Sequence, residues 1–315
     1  MLHAIVLPLA AGFAMFMLGM KGMEFALHRW AGSLLQTVLE RFTQTPARGL
    51  LASTALTAVL QSSTAVTVLT IGLVNSGLLA FPQTLGIILG SNIGTCITTE
   101  LLGLSLQQYG VPLLFAAAAV WASAGLVPAR LDWAPHLRAG ALAAAGFACL
   151  LLGMDVMQSI VPELKARGLL AWLVQRSQES RLWGIAAGAA VTALIHSSAA
   201  TIAMAMSLAA AQAIPPELGI AIVIGANVGT CATAVIASIG GSRYGGYVAW
   251  SHVLLNLGGA LLFYPLLPAL TTATAWFSES PAAQIAHAQT VFNIVCSLAA
   301  LPLCYLPVLK KIRPA

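Results

Sequence analysis

The segment Leu60-Gln61-Ser62-Ser63-Thr64 returns 135 positions later as Ile195-His196-Ser197-Ser198-Ala199. The same offset carries Gly90-Ser91-Asn92-Ile93-Gly94-Thr95-Cys96 onto Gly225-Ala226-Asn227-Val228-Gly229-Thr230-Cys231. Residues 49–99 align with 184–234 without a gap, with roughly a third of positions identical. Chance similarity between two stretches rich in Ala, Leu and Gly does not preserve Ser-Ser and Asn-x-Gly-Thr-Cys at one shared spacing. The chain therefore reads as two copies of one unit, an organisation that places a binding site where the copies meet.

The medium in which these copies fold follows from charge. Only 7% of the 315 residues are charged and 59% are hydrophobic, against about 25% charged in soluble domains. A water-exposed surface cannot be built from so few charges. With no alternating ten-residue barrel pattern, the expected class is an all-α polytopic membrane protein. The net charge of +5 reflects cations flanking apolar stretches, which sets topology rather than nucleic-acid binding. The apolar N-terminus reads as a first span, not a cleaved signal peptide. Five cysteines in apolar segments give neither a disulfide framework nor a transition-metal pattern, and no phosphate-binding loop for a nucleotide occurs.

A span needs about 20 apolar residues. Seven stretches qualify: 2–27, 82–106, 111–127, 137–160, 217–239, 247–270 and 283–306. Two further apolar segments, 49–79 and 184–214, are interrupted near the middle by the polar clusters at Gln61 and His196. Each half covers only part of a bilayer at about 1.5 Å per residue, so each segment is expected to be a re-entrant helical hairpin with its polar cluster at the tip. Repeat 1 covers 1–130 and repeat 2 covers 131–270, each a span, a hairpin and two spans; 271–315 adds a last span and a basic tail. Three crossings per copy is odd, so the second copy is expected to be inverted. Segments 29–48 and 162–181 are moderately amphipathic and are expected along opposite membrane surfaces.

Charge distribution orients this arrangement. With the N-terminus outside, the inner face receives Arg29, Arg41, Arg48, Arg130, Arg138, Arg243, Lys310, Lys311 and Arg313, and the outer face Lys165, Arg167, Arg176 and Arg181. The positive-inside rule favours that orientation, with the C-terminus cytoplasmic, in a cell inner membrane.

The tips carry the candidate chemistry. A break between two half-helices exposes unpaired N–H groups and the positive end of the second half, which attract anions. Hydroxyls of Ser62, Ser63, Thr64, Ser197 and Ser198, with Gln61 and His196, add polar contacts for an anion or oxygens for a sodium ion. A helix-packing role for such serines becomes less apt once the pair occurs twice behind a large polar residue. In the second motif, Asn92, Thr95, Asn227 and Thr230 are candidate ion or substrate ligands. The flanking glycines could serve close packing, or could let the helix unwind and free carbonyls for a cation.

These motifs, together with Ser251-His252-Val253-Leu254-Leu255-Asn256 and Ala286-His287-Ala288-Gln289-Thr290-Val291-Phe292-Asn293, resemble the type II sodium–phosphate cotransporter family over nearly the whole chain. The resemblance implies a secondary transporter: Na⁺-driven uptake of inorganic phosphate by alternating access. Substrate would sit between the tips at Gln61, Ser62, Ser63, Ser197 and Ser198, with no cofactor beyond Na⁺ as coupling ion. Asn256 and Asn293 join the asparagines and threonines above as sodium ligands or their supports. The partners are phosphate, Na⁺ and lipid; a homodimer is left open.

Three departures from the family pattern bear on substrate and ion rather than fold. His196 stands where Gln is usual, Thr64 and Ala199 stand where hydroxyl runs often continue, and Cys96 and Cys231 stand where Thr is usual. A protonated His196 would supply positive charge to tips that contain no Lys or Arg; a neutral one would replace Gln by hydrogen bonding alone. His252 with Asn256, and His287 with Asn293, suit helix–helix hydrogen bonds as well as ligand binding. Glu100 and Asp155 are membrane carboxylates and functional suspects. Lys21 and Glu24 read as a mutual ion pair without chemistry. Carriage or export of another anion, a non-transporting sensor and an intramembrane serine enzyme built on His196 and Ser197 are the competing functions. The last lacks any group to orient the base.

Overall fold

The computed structural model describes residues 2–126, 133–168, 171–310 and 312, and among these it contains helices and no strand. In chain order they are α1 (Leu7–Arg41), α2 (Pro46–Leu60), α3 (Ser63–Asn75), α4 (Phe81–Gly103), α5 (Gly110–Leu126), α6 (Trp133–Ser159), α7 (Val161–Ala166) and α8 (Ala171–Glu179). There follow α9 (Leu182–Ile195), α10 (Ser198–Ala210), α11 (Pro216–Ser238), α12 (Arg243–Phe263), α13 (Leu267–Phe277), α14 (Pro281–Ala300) and α15 (Pro307–Lys310). Among the described residues, seven helical stretches are long and apolar enough to cross a membrane: His3–Ala31, Phe81–Gly103, Gln107–Leu126, Trp133–Ala166, Pro216–Ser238, Arg243–Phe277 and Pro281–Tyr305. Each overlaps one of the seven expected spans, and the chain is an all-α polytopic membrane protein. Arg130, Lys311 and Arg313, which contribute to the charge asymmetry, lie outside the described residues, as does the boundary expected at 130.

Small residues set how these helices meet, because apolar surface alone gives little reason for helices to associate in lipid. In α1 and α6, a Cβ added to Gly12 would lie 2.9 Å from the Gly153 carbonyl, and one added to Gly19 would lie 2.6 Å from that of Gly146. As the contact advances along α1 it retreats along α6, so the two helices, which open the two copies, run antiparallel. Phe16, Met20 and Met23 of α1 share a core with Leu150, Leu151 and Met154 of α6 and with Ile202 and Met206 of α10.

A second contact recurs in both halves. A Cβ at Gly86, Gly90 or Gly94 of α4 would lie 2.1, 2.0 or 2.6 Å from the carbonyls of Pro46, Leu50 and Thr54 on α2. Gly225 and Gly229 of α11 approach the carbonyls of Ile185 and Ala189 on α9 to 1.9 and 2.4 Å in the same sense. Both contacts advance in the same direction on the two helices, so α2 runs parallel to α4 and α9 parallel to α11. The glycines are thus packing points. Helices α4 and α11 continue unbroken past Asn92 and Asn227, which corrects the expectation of local unwinding there.

One other expectation needs revision. The segment beginning at Arg29 is not a separate surface helix: α1 runs on for 35 residues to Arg41, because no proline interrupts it before Pro46. The equivalent segment after α6 does divide, into α7 and α8, with Pro162 in the first turn of α7 and Gly168 at φ +64° after it. The expected span at 247–270 lies within the membrane-length stretch Arg243–Phe277, which a turn divides into α12 and α13 where Pro265 and Pro268 remove backbone donors. Helix α13 crosses the domain boundary expected at 270.

Candidate functional site

Both polar clusters form the same backbone break. Helix α2 ends at Leu60; Gln61 takes a left-handed conformation (φ 56°, ψ 25°) and Ser62 an extended one (φ −140°, ψ 93°), from which α3 starts. In the second copy His196 (φ 55°, ψ 29°) and Ser197 (φ −146°, ψ 105°) repeat it between α9 and α10. Each serine caps the returning helix: Ser62 Oγ accepts from the Ala65 N–H at 3.3 Å, and Ser197 Oγ from the Ala200 N–H at 3.3 Å. The remaining N–H groups of each first turn have no intrahelical acceptor and face forward.

The tip residues are held alike. Gln61 Oε1 accepts a hydrogen bond from Thr98 Oγ1 of α4, and its Nε2 donates to the Ala58 carbonyl. His196 Nδ1 lies 3.4 Å from Thr233 Oγ1 of α11, the position equivalent to Thr98. The imidazole is thus engaged with Thr233, while Ser197 Oγ is engaged with the Ala200 N–H and lies 3.7 Å from Met20 Sδ. No His–Ser hydrogen bond of the kind that activates a nucleophile is formed between them.

The two tips converge on one polar cavity of about 40 Å³, room for roughly three water-sized groups. Gln61, Ser63, Thr64, Thr95, Thr98, His196, Ser197, Ser198 and Thr230 line it, with Met20, Lys21 and Glu24 of α1 closing one side. The first turns of α3 and α10 both border it. Two helix N-termini, several hydroxyls and the Lys21–Glu24 ion pair therefore surround a small volume, and the N-termini and hydroxyls favour an anion. Ser62 lies instead in an adjoining vestibule of about 240 Å³, with Lys21, Glu24, Phe25, His28, Leu60 and Ala65.

Beside this cavity is a void of about 10 Å³ walled by Ser63, Thr64 and Thr67 of α3, Thr230, Thr233 and Ala234 of α11, and His252 of α12. That is close to the smallest space that holds one water. Serine and threonine side chains form most of the wall, turning mainly their apolar atoms toward it, and the His252 Nδ1 has no hydrogen-bond partner among the described residues. At the equivalent place in the other copy, Thr64 and Thr67 are replaced by Ala199 and the fully buried Ile202.

Of the expected ion ligands, Thr95 and Thr230 reach the cavity and the four asparagines do not line it. Asn92 Oδ1 faces His252 Nε2 at 3.2 Å, and its Nδ2 lies 3.4 Å from Asn256 Oδ1. Asn227 donates to the Val223 carbonyl at 2.9 Å, Asn256 to that of His252 at 3.0 Å and Asn293 to that of Gln289 at 3.1 Å. Asn256 and Asn293 also approach Cys231 and Cys96, each at 3.4 Å, so α12 is joined to α11 as α14 is to α4. The residue of α14 in the place His252 has on α12 is Gln289, not His287. His287 is paired with Glu100 at 2.9 Å, and Thr290 Oγ1 also donates to that carboxylate. Asp155 lines a surface depression with Lys165, away from the tips.

Reading the sequence missed Thr98, Thr233 and Thr67, although Thr98 and Thr233 are among the identities at the 135-residue offset. Lys21 and Glu24 do form the expected ion pair, at 2.8 Å. Their place in the cavity wall was not foreseen, because it depends on where α6 seats α1. A lysine within an apolar span was the available signal.

A family profile described as Na⁺/Pi-cotransporter matches the chain twice, over residues 15–159 and 149–301. The chain is 32% identical over 299 residues to "Uncharacterized protein YqeW" of Bacillus subtilis, covering 95% of this chain and 94% of that protein. It is 26% identical to "Putative inorganic phosphate export protein YjbB" of Escherichia coli O157:H7 over 94% of its own length but 53% of the relative, so it spans about half of that protein. The corresponding protein of strain K12 is 25% identical over the same shares. No solved structure matches the chain.

Proposed function

Because the chain belongs to the Na⁺/Pi-cotransporter family, we propose that it is a secondary transporter taking up inorganic phosphate across the cell inner membrane, driven by sodium. The observation that carries this reading is the meeting of both tips, with the N-termini of α3 and α10, in one polar cavity. Phosphate would be bound there by the free first-turn N–H groups, the hydroxyls of Ser63, Thr64 and Ser198, and the polar edges of Gln61 and His196. Ser62 and Ser197 act by capping the helices that present those groups.

Sodium would occupy the void next door once hydroxyls of its serine and threonine walls turn toward it. It shares Ser63, Thr64 and Thr230 with the phosphate cavity, so an ion there lies close enough to favour an anion beside it, the physical basis of coupling. Thr95 contributes from the cavity side. Asn92, Asn256 and Asn293 act from behind by holding α4, α11, α12 and α14 together, while Asn227 bonds back to its own helix at Val223. Alternating access fits two copies inverted in the membrane, a reading supported by the antiparallel contact of α1 and α6.

Radiolabelled phosphate uptake into proteoliposomes tests this directly. Uptake should collapse when the sodium gradient is replaced by potassium, and Ser63→Ala and Ser198→Ala should each weaken it roughly tenfold or more, as expected for a lost hydrogen bond to a charged ligand. Equal uptake with and without sodium removes the coupling, and an absence of both uptake and binding removes phosphate as the substrate. A second reading, export, is favoured by the name given to the Escherichia coli relatives. Vesicles loaded with phosphate and given an outward sodium gradient distinguish the two by initial rates in each direction.

A further inference from the structure

Lys21 and Glu24 occupy the boundary between two spaces. Both line the tip cavity, and both line the vestibule bordered by Phe25, His28, Leu60, Ser62 and Ala65. The two spaces share this pair as a common wall. The lysine side chain is 62% exposed and the glutamate 18%. An ammonium group so open within a membrane span belongs against a polar, wettable space rather than lipid. Among the described residues that line the cavity, Lys21 is the only lysine or arginine.

An anion held only by hydroxyls and backbone N–H groups keeps its full charge in a low-dielectric setting, and a cation within reach lowers that cost. A lysine is suited to such transient pairing, being a flexible point charge with three donors. The nearby carboxylate has the opposite effect. Glu24 pairs with Lys21 when the cavity is empty and repels an incoming oxyanion.

We propose, building on the transport reading above, that Lys21 is the cation that recognises the tetrahedral oxyanion and that Glu24 is its exchange partner. Substrate entry transfers the Lys21 ammonium from the Glu24 carboxylate to the oxyanion; release returns it. No bond is made or broken, only an ion pair exchanged. Glu24 thus prevents over-tight binding and favours release through the vestibule. His28 in the vestibule and His196 in the cavity are the other titratable groups facing the pair.

The test measures equilibrium binding of labelled inorganic phosphate and maximal phosphate exchange in proteoliposomes, for wild type, Lys21→Met, Lys21→Arg, Glu24→Gln and the double variant Lys21→Met/Glu24→Gln. Lys21→Met should raise the phosphate Kd roughly tenfold or more, the scale of a charged hydrogen bond, while Lys21→Arg should stay within a few-fold of wild type. Glu24→Gln should lower Kd and slow maximal exchange together, a split that loss of a merely structural ion pair does not give. The double variant should match Lys21→Met. Wild-type binding that Lys21→Met leaves unchanged overturns the exchange while leaving the transport reading intact, as does a Glu24→Gln variant that binds more weakly than wild type. Wild-type protein that binds no phosphate overturns both.

Discussion

At the residue scale, His196 is the sharpest departure from symmetry, yet its backbone is not different. It takes the left-handed conformation that Gln61 takes, within about 5° in both torsions, and engages Thr233 as Gln61 engages Thr98. A threonine hydroxyl can donate to a neutral imidazole nitrogen as it does to an amide oxygen. The contact therefore lets His196 stand in for glutamine by hydrogen bonding. Phosphate itself titrates near neutrality, so the informative quantity is the ratio of His196→Gln to wild-type uptake. That ratio should stay constant within about twofold from about pH 5.5 to about pH 8, the range in which imidazole changes charge. A ratio that falls steadily as pH drops instead assigns binding to the imidazolium. The prediction also separates what the sequence displays from what it conceals. Two matching motifs identify the tip residues, but whether a tip side chain reaches substrate or its own supporting threonine depends on the neighbouring helix.

At the element scale, the glycines of α4 and α11 carry the fold more than the chemistry. Four-residue spacing on both partners lets α2 lie along α4, and α9 along α11, at backbone contact, which seats each tip beside the threonines that hold it. The sequence showed these glycines and their spacing, and it also showed an asparagine between them. Packing and unwinding use the same residues, and only the location of α2 and α9 decides between them. Helix α1 is a similar case: its charged second half looks like a surface helix, but a helix ends where a breaker ends it. The packing role has a measurable cost. Gly90→Ala and Gly225→Ala place a Cβ 2.0 and 1.9 Å from a carbonyl oxygen, so thermal melting in detergent should show a loss of about 1–3 kcal/mol or more, the cost of overpacking. Gly72→Ala and Gly258→Ala meet nothing within 4 Å. They should be neutral or slightly stabilising, because alanine is the better helix former. Equal melting of all four variants would remove the close contact as the reason for these glycines.

At the scale of the whole molecule, two similar halves meet at a site that is not symmetric. The first copy walls the small void with Thr64 and Thr67 where the second offers Ala199 and Ile202. An internal duplication can diverge in this way because the scaffold needs only small residues at the helix contacts, while the tips are free to specialise. The antiparallel seating of α1 against α6 supports the reading in which the hairpins enter from opposite faces. The turns that follow them provide a direct check. Ser76 closes α3 and Ala211 closes α10, equivalent positions 135 residues apart. If the copies are inverted, Ser76→Cys and Ala211→Cys must react with a membrane-impermeant maleimide from opposite sides, with Ser76→Cys reached from the cytoplasmic side given the basic residues at 29, 41, 48, 138 and 243. Wild-type protein supplies the background, which should be small because Cys96, Cys231 and Cys304 are buried and Cys149 and Cys296 are half-buried. Labelling of both turns from the same side would place the copies in parallel, and two tips meeting mid-membrane from opposite faces would no longer describe the transport path.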